Sequence, residues 1–293
     1  MQTLQSMERK LKSADDLHTV VRTMKSLAAV SIRQYEEATR SLEEYFRSVE
    51  MGLRAALRTH PHSGRQREPG KTLIIVFGSD QGMAGRFNEA LMEFVQEHLD
   101  PEKERILVWV SGIKMHGLAE DAFNGTEHLF PLPSSAEGIS SRVQEILLHF
   151  TEIRAQEGEL RLILFHNRPA GGSSYRQNRV NLLPPDKLWL RDLGGGQWPG
   201  RQIPLYTLPW EDLFGALIGE YLFVALFRAF AASMAAENAA RLASMQRAEK
   251  NIEETKEELT RRYHTMRQNA ISEELFDVIS GFEALTRTES EET

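Results

Sequence analysis

The stretch that decides the fold is residues 4–57. It reads LQSMERKLKSADDLHTVVRTMKSLAAVSIRQYEEATRSLEEYFRSVEMGLRAAL and contains no proline. Apolar or small residues recur at every seventh position: Met7, Ala14, Val21, Ala28, Tyr35, Leu42, Val49 and Ala56. A weaker second row contains Leu17, Met24, Ser31, Ala38, Tyr45 and Gly52. Steps of three and four residues keep both rows on one face of a helix with about 3.5 residues per turn, which predicts a left-handed coiled coil.

A second long helix is predicted after Pro209, and it can run without proline to about Leu285. At 1.5 Å per residue it would be roughly 110 Å long, so part of it must project from a globular domain. Its apolar row is Met245, Ile252, Leu259 and Met266, with Ala248, Thr255 and Tyr263 between them. Because the two helices stand at opposite ends of the chain, an intramolecular antiparallel pair is the economical arrangement. A homodimeric coil and an ordinary amphipathic helix on a globular core remain alternatives.

Between the long helices, strand patterns alternate with helical patterns. The predicted strands are Thr72–Phe77, Arg105–Val110, Leu160–His166 and Arg179–Leu183, and the predicted helices are Gly85–His98, Ile113–Asp121 and Ser135–Gln156. Such alternation predicts a mostly parallel sheet flanked by helices. The fold class is therefore α/β plus a long antiparallel coiled coil. We expect an N-terminal coiled-coil helix at 1–60, a central Rossmann-like α/β domain at 61–208 and a C-terminal coiled-coil helix at 209–293, with linkers at His60–Gly70 and Gly194–Gly200.

Composition excludes several classes of function. The net charge of −7 gives no general attraction to nucleic acid, and the absence of cysteine excludes disulfides and thiolate chemistry. The first residues lack the apolar region of a signal peptide, so we expect the mature chain to start near Met1. No uninterrupted run of about 18 apolar residues occurs, since Gly215, Gly219, Glu220 and Arg228 interrupt the closest one. We expect a soluble protein whose contact with a membrane is indirect.

A glycine-rich turn, residues 78–85 (GSDQGMAG), follows the first strand and precedes a helix. Such a turn can bind phosphate through backbone N–H groups. It lacks the Lys-Ser/Thr pair of a P-loop and the GxGxxG spacing of a dinucleotide site. The pattern favours a structural turn in which Ser79 or Asp80 caps the following helix. The loop at Gly171–Arg176 is interpreted as a surface loop.

Catalytic, cofactor and metal sites are not predicted. The nine histidines show no ligand spacing, and no GxSxG, HExxH or paired catalytic carboxylate occurs. Asp15 and Asp16 are interpreted as solvent-facing acids beside the apolar row.

Three separated motifs resemble the gamma subunit of F-type ATP synthases. They are residues 12–29 with TMKSLAA, residues 78–88 (GSDQGMAGRFN), and the C-terminal segments ENAARLASM (237–245) and RQNAISEEL (267–275) with Ser280 and Gly281. The resemblance covers nearly the whole chain in the same order. It implies an antiparallel shaft inside a hexamer of alpha and beta subunits, and an α/β domain against the epsilon subunit and the membrane ring of c subunits.

The resemblance also implies site residues, all of them contacts with partner subunits. These are Met24, Arg241, Arg267, Gln268, Ser272, Glu274 and Asp277, with Met24 packed near Arg267 and Gln268. It further implies a peripheral location on the cytoplasmic face of a bacterial membrane. The acidic stretch from Asp15 to Arg22 suggests a divergent branch, the alternative bacterial ATPase that can pump sodium. Two other functions remain open from the residues alone: a nucleotide-binding α/β enzyme and a coiled-coil tether.

Overall fold

The computed structural model divides into two compact units, one made of residues 1–26 and 245–293 and the other of residues 27–244. It describes residues 3–59, 70–99, 105–123, 125–172, 174–196, 198, 200 and 205–291. The predicted linker at 60–69, including His60 and His62, lies outside these ranges. Two helices, α1 (Leu4–Ser41) and α7 (Trp210–Glu291), contribute residues to both units. We call the first the two-helix unit and the second the α/β unit.

The two-helix unit is an antiparallel pair. Polar contacts join Glu8 to Tyr263, Asp15 to Lys256, His18 to Glu253 and Lys25 to Glu249. Residue numbers therefore rise along α1 as they fall along α7, which confirms the predicted intramolecular antiparallel arrangement. Met7, Ala14 and Val21 of α1 are buried, as their seven-residue spacing predicts. In the predicted row of α7, Met245 is buried, whereas Ile252, Leu259 and Met266 are half-buried.

The predicted second row of the N-terminal helix is partly wrong. Leu17 is 57% exposed and Tyr45 is 43% exposed. A different row is half-buried, and each of its residues follows a residue of the buried row by four positions. In the two-helix unit this row consists of Leu11, His18 and Lys25. Polar side chains therefore occupy positions that a coiled coil usually gives to apolar residues.

The α/β unit contains a five-stranded sheet with the order β3-β2-β1-β4-β5. The strands are β1 (Lys71–Phe77), β2 (Ile106–Ser111), β3 (His128–Phe130), β4 (Leu160–Pro169) and β5 (Tyr175–Leu183). Only the β4–β5 pairing is antiparallel among the described strands. The sheet is thus mostly parallel, as predicted, and the short β3 is an addition to the four strands expected.

Helices cover both faces of this sheet. The remaining helices are α2 (Glu43–Thr59), α3 (Phe87–His98), α4 (Ile113–Phe123), α5 (Ile139–Glu157) and α6 (Lys187–Gly195). Alternate residues of β1 point to opposite faces of the sheet. Leu73, Ile75 and Phe77 pack in the cluster that holds α5 and α7, whereas Ile74 and Val76 pack in the cluster that holds α3 and α4. Burial on both faces explains why β1 is a continuous apolar run.

Two helix boundaries differ from the sequence expectation. The N-terminal helix is interrupted at Leu42, between α1 and α2. Helix α6 occupies residues assigned in part to the return linker, because Leu190 and Leu193 pack against Leu53 and Leu57. Helix α2 ends at Thr59 and helix α7 begins at Trp210. Both positions are close to the predicted domain limits of 1–60, 61–208 and 209–293, which themselves stay a prediction.

Helix α7 is, among the described residues, the one helix long and apolar enough to cross a membrane by length and composition alone. Gly215, Gly219, Glu220 and Arg228 interrupt its apolar stretch, as noted from the sequence. Part of its apolar surface is buried within the protein, since Leu222, Leu226 and Phe230 lie in the core of the α/β unit. These residues show the pattern of a core helix.

Candidate coupling surfaces

The predicted contact residues are divided between the two units. Arg241 belongs to the α/β unit, and the other six belong to the two-helix unit. Met24 is half-buried beside Lys25, whose ammonium group pairs with Glu249. Arg267 follows Glu249 along α7 by about 18 residues, or about 27 Å. The expectation that Met24 packs near Arg267 and Gln268 is therefore wrong, because the antiparallel pairing places Met24 opposite an earlier part of α7.

The C-terminal part of α7 extends past the start of α1. Helix α1 begins at Leu4, and its Glu8 already contacts Tyr263. Every residue from 271 to 280 is exposed, including Ser272, Glu274 and Asp277. Exposed apolar side chains stand among them: Ile271, Leu275, Phe276, Val278 and Ile279. Grouped apolar exposure of this kind is typical of a surface that another molecule covers.

Arg241 forms a largely buried ion pair. Its guanidinium donates to the carboxylate of Glu237, one turn earlier on α7, and to Oδ1 of Asn238 at 3.1 Å. The side chains of Arg241 and Glu237 are 13% and 7% exposed. Burial raises the pKa of Glu237, the charge of Arg241 opposes that rise, and the nearby Asp80 adds to it. Arg241 therefore compensates a buried carboxylate within the α/β unit.

The glycine-rich turn brings three helices close together. Backbone N–H of Ser79 donates to Oδ1 of Asn88 at 3.0 Å, and Asn88 Nδ2 donates to Ser79 Oγ at 2.9 Å. Asp80 Oδ1 accepts from the backbone N–H of Ile113 at 2.9 Å. Asp80 thus caps α4, and the following helix, α3, has no side-chain cap. The prediction that Ser79 or Asp80 caps the following helix is wrong, because Asp80 points to the helix after β2.

Helix α7 occupies the place where a doubly wound sheet would hold a nucleotide. That place is the carboxyl end of β1 and β4, where the strand order reverses. Ser233 Oγ of α7 donates to the carbonyl oxygen of Phe77 at 3.0 Å. Ala84 and Phe87 pack on the alanine-rich part of α7 at Ala236 and Ala240. The turn is a packing surface for the chain's own helix, in agreement with its interpretation as a structural turn.

Close packing explains the first glycine of the turn. A Cβ atom at Gly78 would lie 2.2 Å from Cβ of Met115 on α4 and 2.9 Å from Oδ1 of Asn88. Gly82, in the same turn, has no atom within 4 Å of such a Cβ. The neighbouring helices therefore require glycine at Gly78, whereas no neighbouring atom requires it at Gly82.

One group of side chains could hold a metal ion among the described residues. It consists of His18 from α1 and Glu249 and Glu253 from α7. The spacing of histidines along the sequence gave no sign of it, since the ligands come from helices at opposite ends of the chain. Asp15 and Asp16 are exposed, as expected, and Asp15 is paired with Lys256.

Comparison with known proteins gives concordant matches over the whole chain. The model of a family described as ATP synthase matches residues 3–285. A gamma chain of ATP synthase from Syntrophus aciditrophicus is 26% identical over 98% of this chain and 100% of the relative. The gamma chain from Anaeromyxobacter dehalogenans is also 26% identical, over 97% of this chain and 100% of the relative.

Solved structures share the fold. The rotor of Euglena gracilis mitochondrial ATP synthase aligns with a TM-score of 0.63 at 18% identity, over 92% of this chain and 98% of that chain. The central stalk of Tetrahymena thermophila mitochondrial ATP synthase aligns with a TM-score of 0.58 at 17% identity, over 78% of this chain and 99% of that chain. Both ends and the central sheet of the chain are therefore accounted for by one known architecture.

Proposed function

Because the chain belongs to the ATP synthase gamma-chain family, we propose that it is the central rotor shaft of an F-type ATP synthase. The observation that carries this proposal is the family match over residues 3–285, which includes both long helices and the sheet. The shaft would couple ion flow through the membrane ring to conformational change in the catalytic hexamer. Each catalytic subunit would contact one face of the shaft. The contact energy with that face would favour one conformation of the subunit over the others.

The partners that follow from this role are alpha and beta subunits, an epsilon subunit and the c-ring. The exposed C-terminal part of α7, with Ser272, Glu274 and Asp277, would lie against the hexamer, as would Met24, Arg267 and Gln268. Since the side chain of Arg241 is turned into the α/β unit, we propose that it acts there by holding Glu237. The protein would be a peripheral part of the F1 sector on the cytoplasmic face of a bacterial membrane.

We further propose that the chain supplies no catalytic group and no nucleotide-binding site of its own. The filling of the sheet's carboxyl edge by Ser233, Ala236 and Ala240 supports this. Titration of the isolated chain with ATP is expected to show no binding up to about millimolar nucleotide, a range of weak affinity near −4 kcal/mol. Saturable binding in the micromolar range would favour the alternative of a nucleotide-binding enzyme.

Co-purification tests the shaft directly. A tagged chain is expressed with the alpha and beta subunits of the same organism, and we expect a complex of three alpha, three beta and one gamma subunit that hydrolyses ATP. A coiled-coil tether would leave the alpha and beta subunits in the flow-through. The affinity tag is inserted in a loop of the α/β unit, so that the C-terminal part of α7 stays free.

Replacement of Met24 by lysine is expected to impair coupling more than assembly. The new ammonium group would stand beside Lys25, where it would compete for Glu249 and present a charge to any subunit that covers this face. We expect ATP-driven ion pumping in membrane vesicles to fall by about tenfold, the equivalent of roughly 1.4 kcal/mol. Met24→Leu is the matched control. Unchanged pumping in Met24→Lys would remove Met24 from the coupling surface.

A further inference from the structure

Three potential metal ligands meet on one side of the two-helix unit. One ligand atom from each of His18, Glu249 and Glu253 lies within 4.8 Å of the other two. Glu249 and Glu253 stand four residues apart on α7 and so share a face of that helix. His18 approaches from α1, with Nε2 at 3.5 Å from Oε1 of Glu253. The group therefore combines an imidazole with two carboxylates from two separate helices.

The exposure of the three side chains suits a binding site with an open entrance. Glu249 is 18% exposed, His18 is 28% exposed and Glu253 is 60% exposed. Glu249 thus forms the inner part of the group, and Glu253 forms the outer part. Lys25 donates a hydrogen bond to the carboxylate of Glu249.

We propose that His18, Glu249 and Glu253 bind a divalent transition-metal ion such as Zn²⁺. Zinc takes imidazole nitrogen at about 2.0–2.1 Å and carboxylate oxygen at about 2.0–2.2 Å, and three protein ligands with one water complete its tetrahedral shell. An imidazole ligand disfavours Mg²⁺ and Ca²⁺, which prefer oxygen ligands throughout. Tetrahedral geometry at these bond lengths needs ligand atoms about 3.4 Å apart. Nε2 of His18 and Oε1 of Glu253, 3.5 Å apart, already stand close to this spacing.

Lys25 would compete with the metal ion for the carboxylate of Glu249. Its ammonium group pairs with the carboxylate of Glu249. Binding of the metal would replace this ion pair and release the lysine side chain to solvent. The bound ion would connect α1 to α7 through coordinate bonds, so the two-helix unit would resist separation more strongly when the metal is present.

Calorimetric titration of the full chain with ZnCl2, after removal of metal by a chelator, tests this proposal. We expect a site whose affinity falls by at least about tenfold in His18→Ala and in Glu253→Gln, as loss of one of three ligands requires. His264→Ala is the control, because His264 is an exposed histidine on α7 outside the group. The thermal midpoint should rise with Zn²⁺ in the wild type and in His264→Ala but not in His18→Ala.

Lys25→Met separates coordination from general attraction of cations. Removing the competitor should raise zinc affinity several-fold, whereas Lys12→Met, which removes an exposed lysine of the same helix, should leave it nearly unchanged. Equal affinities in the wild type and His18→Ala would overturn the proposal. Absence of zinc binding by the wild type at about 1 mM metal, the range of very weak sites, would overturn it as well.

Discussion

Replacing Arg241 by alanine is expected to lower the free energy of unfolding of the α/β unit by about 3–5 kcal/mol. The substitution leaves the carboxylate of Glu237 buried without the guanidinium that compensates it. Removing one partner of a buried pair costs more than the pair contributes, because the remaining charge stays desolvated. Urea unfolding of the full chain, followed by tryptophan fluorescence, measures the change.

The loss of unfolding free energy in Arg241→Ala should depend on pH. Burial already raises the pKa of Glu237 above its ordinary 4.5, and the loss of Arg241 removes the charge that opposes this rise. A carboxyl group with a raised pKa binds its proton more readily in the folded chain than in the unfolded chain. Its unfavourable contribution is therefore fully present above the folded pKa and is relieved as the pH falls toward 4.5. The difference between Arg241→Ala and the wild type should shrink between pH 7 and pH 5.

A pair with the same spacing on the same helix provides the control. Arg262 pairs with Glu258, also four residues earlier, and these side chains are 60% and 56% exposed. Arg262→Ala should cost at most about 0.5 kcal/mol. The double variant Arg241→Met, Glu237→Gln should recover much of the lost stability, because it removes both charges. A loss below about 1 kcal/mol in Arg241→Ala would mean that Glu237 is compensated in another way.

Replacing Gly78 by alanine is expected to destabilise the α/β unit by about 1–3 kcal/mol or more, the usual cost of overpacking. The added methyl would lie 2.2 Å from Cβ of Met115, an atom that cannot move without its own backbone. Either α4 or the turn must therefore shift, and the hydrogen bonds that Ser79 makes with Asn88 would lengthen. Thermal unfolding followed by circular dichroism measures the loss.

Gly82→Ala isolates the steric cause of this effect. It adds the same methyl group to the same turn at a position where nothing lies within 4 Å. Its stability should equal that of the wild type or exceed it by up to about 1 kcal/mol, because alanine restricts the unfolded chain. Equal destabilisation of both variants would show that the turn requires glycine for its backbone conformation instead.

Features encoded by local periodicity were predictable from the sequence. The row from Met7 to Val21 is buried as its seven-residue spacing indicates, and β1 is buried on both faces as its continuous apolar run indicates. These patterns depend only on residues within one element. The antiparallel pairing also followed, because the chain offers a second helix of sufficient length.

Features that depend on contacts between distant elements were not predictable. Asp80 caps α4, whose first residue follows 33 positions later, rather than the helix next in sequence. The ion pair of Lys25 joins residues 224 positions apart. Helix α6 lies in a stretch rich in glycine, and packing on Leu53 and Leu57 stabilises it against that composition. In each case the deciding contact comes from a residue that no local window includes.

The four polar contacts of the two-helix unit have a consequence for its register. An apolar row with a seven-residue repeat can slide by one repeat and still meet apolar residues, so such rows alone define the alignment poorly. A shift of seven residues in one direction would bring Lys25 opposite Lys256, where it now pairs with Glu249. A shift in the other direction would bring Asp15 opposite Glu249. Like charges thus penalise both slipped alignments, and half-buried polar residues fix the axial position of α1 against α7 at some cost in stability.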